Sequence, residues 1–133
     1  MKRSYVCPHC GGTLNPNIKI VLRAEHQGRR ELILFSPQPG NYDVIVPEAL
    51  QLRTKERVRL SCPICAADLT SKRDENMAEI HFRTDPPGTE GTVVFSRTYG
   101  RHETYFVTSE EVRKYGEHAK DDAVNFWGLA PQR

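Results

Sequence analysis

The feature that most constrains this chain is a pair of short cysteine motifs, CPHC at residues 7–10 and CPIC at residues 62–65. Two cysteines separated by two residues can chelate one edge of a tetrahedral ion from a single tight turn, so one motif cannot complete a four-ligand site. We therefore expect the two turns to meet around one metal ion and to tie together segments that lie 51 residues apart. The expected ligands are Cys7, Cys10, Cys62 and Cys65.

The residues next to the cysteines favour tight turns. A proline follows the first cysteine of each motif and helps to fix the turn. Gly11 follows the first motif and permits the positive φ that directs backbone N–H groups toward the sulfurs. The second motif has Ala66 at that position, so we expect its turn to be slightly strained or differently shaped. Metal binding at such a site can contribute on the order of 10 kcal/mol to folding.

These motifs resemble the knuckles of the zinc ribbon family. Both are CPxC, the first followed by Gly-Gly-x-Leu and the second by Asp-Leu, and the resemblance covers residues 5–14 and 60–69. It implies a zinc-ribbon-like fold and one structural Zn²⁺ held by the four cysteines. It implies little about activity, since ribbons occur in transcription factors, ribosomal proteins, enzymes and adaptors. The insert between the two knuckles is longer here than ribbons usually have.

Two other interpretations of the thiols stay open. The same four thiolates suit iron, as in a rubredoxin-like Fe(Cys)4 electron carrier, although that family prefers glycine where this chain has Ala66. Dithiol redox chemistry is the other interpretation. His9 lies inside the first motif, but four cysteines already fill a tetrahedral site, so we expect it to be a surface residue.

The sequence also indicates where such a protein works. It has no stretch of about 18 or more apolar residues that could span a membrane, and its basic start, MKRSYVCPHC, lacks the apolar run of a secretion signal. We therefore expect a cytoplasmic protein, in which thiols stay reduced and paired CxxC motifs hold metal rather than form disulfides.

Alternation of apolar and polar residues predicts a mainly β chain. The expected strands are IKIVLRAE, ELILFS and YDVIV after the first motif, and MAEIHFR, TVVFSR and ETYFV after the second. Cys7 maps onto Cys62 at a shift of 55, and Ile20, Leu22 and Ser36 map onto Ile80, Phe82 and Ser96 at a shift of 60. We expect one domain over residues 1–133, with pseudo-repeats at about 5–47 and 60–108, each a knuckle plus three strands, sharing one metal site.

A C-terminal helix is expected over about residues 109–127. Thr108 and Glu111 form a capping box at its start. An apolar stripe at steps of three and four residues follows, made by Val112, Tyr115, Ala119, Ala123 and Phe126. Gly116 interrupts this stripe and can break the helix in two.

A row of cations is the most unusual stretch outside the knuckles. In LRTKERVRLSC the basic residues alternate, and on a strand they would share one face: Arg53, Lys55, Arg57 and Arg59. Residues 1–61 hold ten Lys and Arg against five Asp and Glu, which makes this half the better candidate for an anionic partner. Nucleic acid is one such partner. Acidic side chains on neighbouring strands, such as Glu31, Asp43 or Glu48, would balance the cations equally well. A charged solvent face, or an edge strand guarded against aggregation, is the competing interpretation.

Catalysis is not expected. Four thiolates leave no open coordination position for water or substrate, and no P-loop, GxSxG, HExxH or zinc deaminase motif occurs. The sequence therefore predicts a non-catalytic zinc protein that acts as a binding module, with nucleic acid as the first partner to test. A protein–protein adaptor that uses exposed sheet edges or the NFWG end is the alternative.

Overall fold

The computed structural model describes residues 2–85 and 88–119, and within them nine strands form two antiparallel sheets. The strands are β1 (Lys2–Val6), β2 (Ile20–His26), β3 (Arg29–Phe35), β4 (Val44–Ile45), β5 (Arg59–Ser61), β6 (Met77–Asp85), β7 (Glu90–Ser96), β8 (Thr104–Val107) and β9 (Val112–Tyr115). A 3-10 turn at Glu48–Leu50 lies between β4 and β5. The expectation of a mainly β chain is confirmed.

The two halves of the chain exchange a strand. Sheet A has the order β1-β6-β7-β8-β9, and sheet B has the order β4-β3-β2-β5. The strand that leads into the first cysteine motif therefore pairs with β6 of the second half, and the strand that leads into the second motif pairs with β2 of the first half. Each sheet is completed by a strand from the other half.

Equivalent hydrogen bonds recur in both halves and give the alignment between them. The N–H of Leu14 donates to the Tyr5 carbonyl at 2.7 Å, and Leu69 donates to Leu60 at 2.9 Å, a shift of 55. The N–H of Val21 donates to the Leu14 carbonyl, and the N–H of Glu79 donates to the Leu69 carbonyl. Val21 therefore corresponds to Glu79, at a shift of 58. The expected matches of Ile20 with Ile80 and Leu22 with Phe82 are therefore wrong by two residues, because β2 aligns with β6 at 58.

Beyond the β2–β3 and β6–β7 hairpins the shift becomes 60. Leu34 pairs with Ile45 as Val94 pairs with Tyr105. The loops that follow β3 and β7 also share their turns: Gly40 and Gly100 have φ of 87° and 88°, and both lie in loops closed by equivalent backbone hydrogen bonds. The expected match of Ser36 with Ser96 agrees with this shift, since each hydroxyl accepts from the N–H two residues later.

The main core lies between the two sheets. Residues of β2 alternate between buried and half-buried, as the period-2 pattern requires, and Leu22 and Ala24 are fully buried. They pack with Ile33 from sheet B and with Ile80 and Val93 from sheet A in one apolar cluster. Both thiols Cys7 and Cys62 belong to the same cluster, so the metal centre is continuous with the core.

The C-terminal helix is a wrong prediction over the residues that the structure describes. Val112–Tyr115 forms β9, which pairs with β8. Thr108 does accept hydrogen bonds from the N–H groups of Glu110 and Glu111, as a cap would, but the chain then turns back instead of coiling. Gly116 ends the strand at φ 97°. Residues 120–127 of the predicted helix lie outside the described residues.

None of the described segments forms a helix with the length and apolar character that a membrane crossing needs.

Candidate metal centre

Two equivalent turns present the four cysteines. The N–H of Gly11 donates to the Cys7 carbonyl and that of Ala66 to the Cys62 carbonyl, each at 2.9 Å. The first cysteine of each motif also donates its own N–H across the turn, to Gly12 and Ala67, at 3.0 Å. Since β1 and β5 end at these cysteines, the exchanged strands hold both turns in place.

Backbone N–H groups point at the sulfurs in both turns. Cys7 Sγ accepts from the N–H of His9 at 3.3 Å, and Cys62 Sγ accepts from that of Ile64 at the same distance. Cys62 Sγ also accepts from Cys65 at 3.4 Å. Such N–H groups orient the sulfurs and stabilise their anionic form. The turns therefore favour thiolate ligands.

The four sulfurs lie close together, and two of their separations match those of a tetrahedral site. Cys7 Sγ lies 3.8 Å from Cys65 Sγ, Cys10 Sγ lies 3.8 Å from Cys62 Sγ, and all four sulfurs lie within 4.8 Å of one another. Four sulfurs bound 2.3 Å from a common centre in a tetrahedron are about 3.8 Å apart. All four cysteines are free thiols. They are positioned to hold one metal ion.

The acidities of the buried thiols differ. Burial raises the pKa of Cys62 to about 12, although the N–H groups of Cys65 and Ile64 act in the opposite direction. Burial acts on Cys7 in the same way, but the N–H groups of Cys10 and His9 outweigh it, and the pKa of Cys7 is lowered. A bound cation would require all four thiols to lose their protons, so metal uptake must release protons.

Ala66 adopts the conformation that glycine has in the other turn. Its φ is 66° and that of Gly11 is 74°. The second turn therefore has the same shape as the first. Of the two outcomes expected for Ala66, a strained turn or a turn of different shape, the structure has the strained one. A left-handed conformation costs a residue with a Cβ roughly 1–2 kcal/mol. The ligand geometry is thus preserved at the expense of local backbone strain.

The cluster connects one buried and one exposed thiol from each half. Cys7 and Cys62 are buried, whereas Cys10 and Cys65 are exposed. Because each 3.8 Å sulfur pair joins the two motifs, an ion at the centre would link residues of both sheets. His9 is exposed and contributes no ligand atom to the cluster.

The four residues of the cation row do not form one strand. Arg53 to Glu56 make a turn, in which the N–H of Glu56 donates to the Arg53 carbonyl at 3.1 Å, and Lys55 has a φ of 79°. Regular strand begins only at Arg59, with Arg57 in an isolated bridge to Thr98. Arg53 and Lys55 are thereby separated from Arg57 and Arg59 by the turn.

A different cation cluster forms around Arg97. Its Nε donates to the Val58 carbonyl at 2.9 Å. Burial lowers its pKa, and repulsion from Arg57 and Arg59 lowers it further. Two carboxylates lie among these cations: Asp68 at 3.6 Å from Arg59 and Glu75 at 4.0 Å from Arg57. The alternating spacing of the cation row could not predict that Arg97 joins the cluster. Arg97 follows β7 and lies 38 residues after Arg59 in the sequence.

Comparison with protein-family models, with curated proteins and with solved structures finds no match to this chain.

Proposed function

We propose that this protein is a non-catalytic binding module whose two halves are held together by one structural Zn²⁺. The observation that carries the proposal is the four-sulfur cluster, in which each short Sγ–Sγ pair joins one motif to the other. Zinc is favoured because it binds four thiolates tetrahedrally without requiring redox chemistry. We propose a cytoplasmic location together with this assignment, since thiols would stay reduced there.

A catalytic role for the ion has no support in the ligand set. Catalytic zinc keeps one position for water or substrate, and four sulfurs occupy every position of a tetrahedral ion. Iron in the same cluster would make the protein an electron carrier, and its absorption would colour the protein. A colourless preparation that contains zinc after growth in iron-supplemented medium would exclude that alternative.

Nucleic acid is the partner that we propose first. Arg57, Arg59 and Arg97 lie together, and within residues 2–85 and 88–119 the carboxylates placed among them are Asp68 and Glu75. An excess of cations at one site attracts phosphate, and affinity for nucleic acid then falls with salt. The stretch LRTKERVRLS contains no aromatic residue on which bases could stack, so we expect backbone contacts without sequence preference.

Fluorescence anisotropy with a labelled 20-nucleotide single strand and duplex, titrated with salt, tests this partner. The double variant Arg57→Glu/Arg59→Glu should weaken binding about tenfold or more and reduce the salt slope by about 2. The matched control is Lys19→Glu/Arg83→Glu, which changes the net charge equally at exposed positions outside the cluster. No binding at low salt, or equal losses in both variants, would contradict the proposal.

A protein partner is the second candidate, favoured by the outer face of sheet B. Leu32 and Ile45 are each 52% exposed on this face. In sheet A the equivalent of Ile45, which is Tyr105, is 1% exposed, and the equivalent of Leu32 is the half-buried Thr92. An exposed apolar surface on one sheet, where the matching surface of the other sheet is covered, is typical of a docking face.

A pull-down with Leu32→Ser/Ile45→Ser tests the adaptor function. The variant should lose proteins that the unchanged chain retains, whereas Ile18→Ser, at a residue that is 71% exposed and lies outside this face, should keep them. An identical set of proteins from both variants would count against it. The NFWG end, also proposed as a docking element, lies outside the described residues.

A further inference from the structure

A cavity of about 320 Å³ lies between the two sheets, separate from the metal centre. Its deeper walls are apolar and include Ile33, Val93 and Ile80, all nearly fully buried. Phe35 and Phe95 also line it and contact each other edge to face at 5.8 Å, but both are only partly buried. The cavity is thus an apolar space that opens to solvent beside two aromatic rings.

The two halves contribute equivalent residues to this space. The segment from Ser36 to Val44 lines one side, and its equivalent at a shift of 60, Ser96 to Thr104, lines the other. The walls behind them match as well, since Ile33 and Phe35 correspond to Val93 and Phe95. A hydrogen bond ties the two segments to each other, in which the Tyr42 hydroxyl donates to Thr104 Oγ1 at 2.8 Å. The opening is therefore a built part of the fold.

Three charged side chains at the opening, those of Arg97, Arg101 and Glu103, are engaged inside the chain, whereas Asp43, which also lines it, is exposed to solvent. Arg101 Nε lies 2.8 Å from a carboxylate oxygen of Glu103, and that buried residue also accepts from the Tyr105 hydroxyl at 2.6 Å. Arg97 donates to backbone carbonyls. A charged ligand would have to displace these contacts, whereas an uncharged one would not.

We propose that this cavity between the sheets binds a small, uncharged, apolar molecule with a planar ring. Its volume lies at the lower end of the range for small-molecule sites, and its walls have the mixture of aliphatic and aromatic side chains that such sites use. The ring stacks against Phe35 and Phe95, and the body of the molecule reaches Ile33 and Val93. This site requires neither the nucleic acid nor the protein partner proposed above.

The neutral fluorophore N-phenyl-1-naphthylamine tests the site in the metal-loaded full chain. Val44 and Val46 line the cavity, and Val46 aligns with Phe106, so the fold already accommodates phenylalanine at the equivalent position. Val44→Phe and Val46→Phe should each weaken probe binding about tenfold or more, because the added ring fills the space. Ile45→Phe is the matched control on the opposite face, and it should change the affinity less than about twofold.

The charge and the position of the bound probe are checked separately. The sulfonated relative 1-anilinonaphthalene-8-sulfonate should bind about tenfold more weakly than the neutral probe. In the unchanged protein, the neutral probe should shift the methyl NMR signals of Ile33 and Val93, but not those of the exposed Ile18 and Ile64, so the proposal stays testable if a variant fails to fold. The proposal would be overturned by any one of four results: no fluorescence gain, an affinity in both filled variants equal to that of the unchanged protein, preference for the sulfonated probe, or unmoved Ile33 and Val93 signals.

Discussion

Tyr42 and His102 stack on each other with 4.4 Å between ring centroids and 12° between ring planes. They are equivalent residues of the two halves at a shift of 60, so the contact joins one half of the chain to the other. The Tyr42 hydroxyl reaches further into the second half, where it donates to Thr104 Oγ1 at 2.8 Å. Two equivalent loops thus contact each other directly, through residues that are not ligands of the metal centre.

This stack predicts energetic coupling between the two loops. In a double-mutant cycle, Tyr42→Ala and His102→Ala should show a coupling energy of about 0.5–1.5 kcal/mol in urea unfolding, because the ring contact is lost only once. Tyr42→Phe removes the hydroxyl and keeps the ring, so it should retain the coupling with His102. Strict additivity of the two alanine variants would contradict the stacking argument.

Metal content gives the second prediction. We expect one zinc ion per chain in native mass spectrometry, and its loss in each single Cys→Ser variant, because three sulfurs cannot complete the site. The thermal unfolding temperature should fall sharply in Cys7→Ser and Cys62→Ser and on addition of a chelator, since binding contributes on the order of 10 kcal/mol to folding. His9→Ala is the control and should keep the ion. A cysteine variant that retains metal and stability would exclude a shared site.

The left-handed residues of the two turns give a reciprocal prediction. Ala66→Gly should stabilise the metal-loaded protein by up to about 1 kcal/mol, because the relief of strain at φ 66° outweighs the opposing gain in freedom of the unfolded chain. Gly11→Ala should destabilise it by about the same amount, because φ there is 74°. Chemical denaturation measures both. If both variants were more stable than the unchanged protein, or both less stable, backbone strain would not be the main cause of the changes in stability.

Alanine substitutions at Gly116 and Gly28 distinguish the cost of backbone strain from the cost of steric crowding. Both have positive φ, 97° and 80°. A Cβ at Gly28 would meet open space, whereas one at Gly116 would meet the carbonyl oxygen of His102 and the Tyr42 hydroxyl. Gly28→Ala should therefore cost about 1 kcal/mol and Gly116→Ala about 3 kcal/mol or more in urea unfolding. Similar costs for the two variants would mean that the Gly116 loop can move aside.

The sequence predicted the parts of this molecule that depend on local pattern. The four cysteines are spaced for two tight turns, and the structure brings their sulfurs within 4.8 Å of one another. The strands β2 and β6 alternate clearly between apolar and polar residues because one face of each packs in the core. In both cases the information lies within a few residues.

Errors arose where distant pairing overrides local preference. Thr108 forms the hydrogen bonds of a helix cap, yet Val112–Tyr115 pairs with β8 because an open strand edge is available beside it. In the cation row, alternation predicted a strand from Arg53, but Lys55 takes a left-handed conformation and the chain turns. The strand β1 was missed because its partner, β6, is 75 residues further along the chain and no local signal records the exchange.

The exchange of β1 and β5 also bears on how such a molecule can assemble. A polypeptide that ended after the 3-10 turn at Glu48–Leu50 would contain two of the four ligands and an edge strand, β1, with no sheet of its own to join. Its direct route to a complete fold is to meet an identical polypeptide, each lending its first strand to the other, with the ion on the symmetry axis between them. The single chain has the topology of such a pair joined end to end, which makes its closure independent of protein concentration.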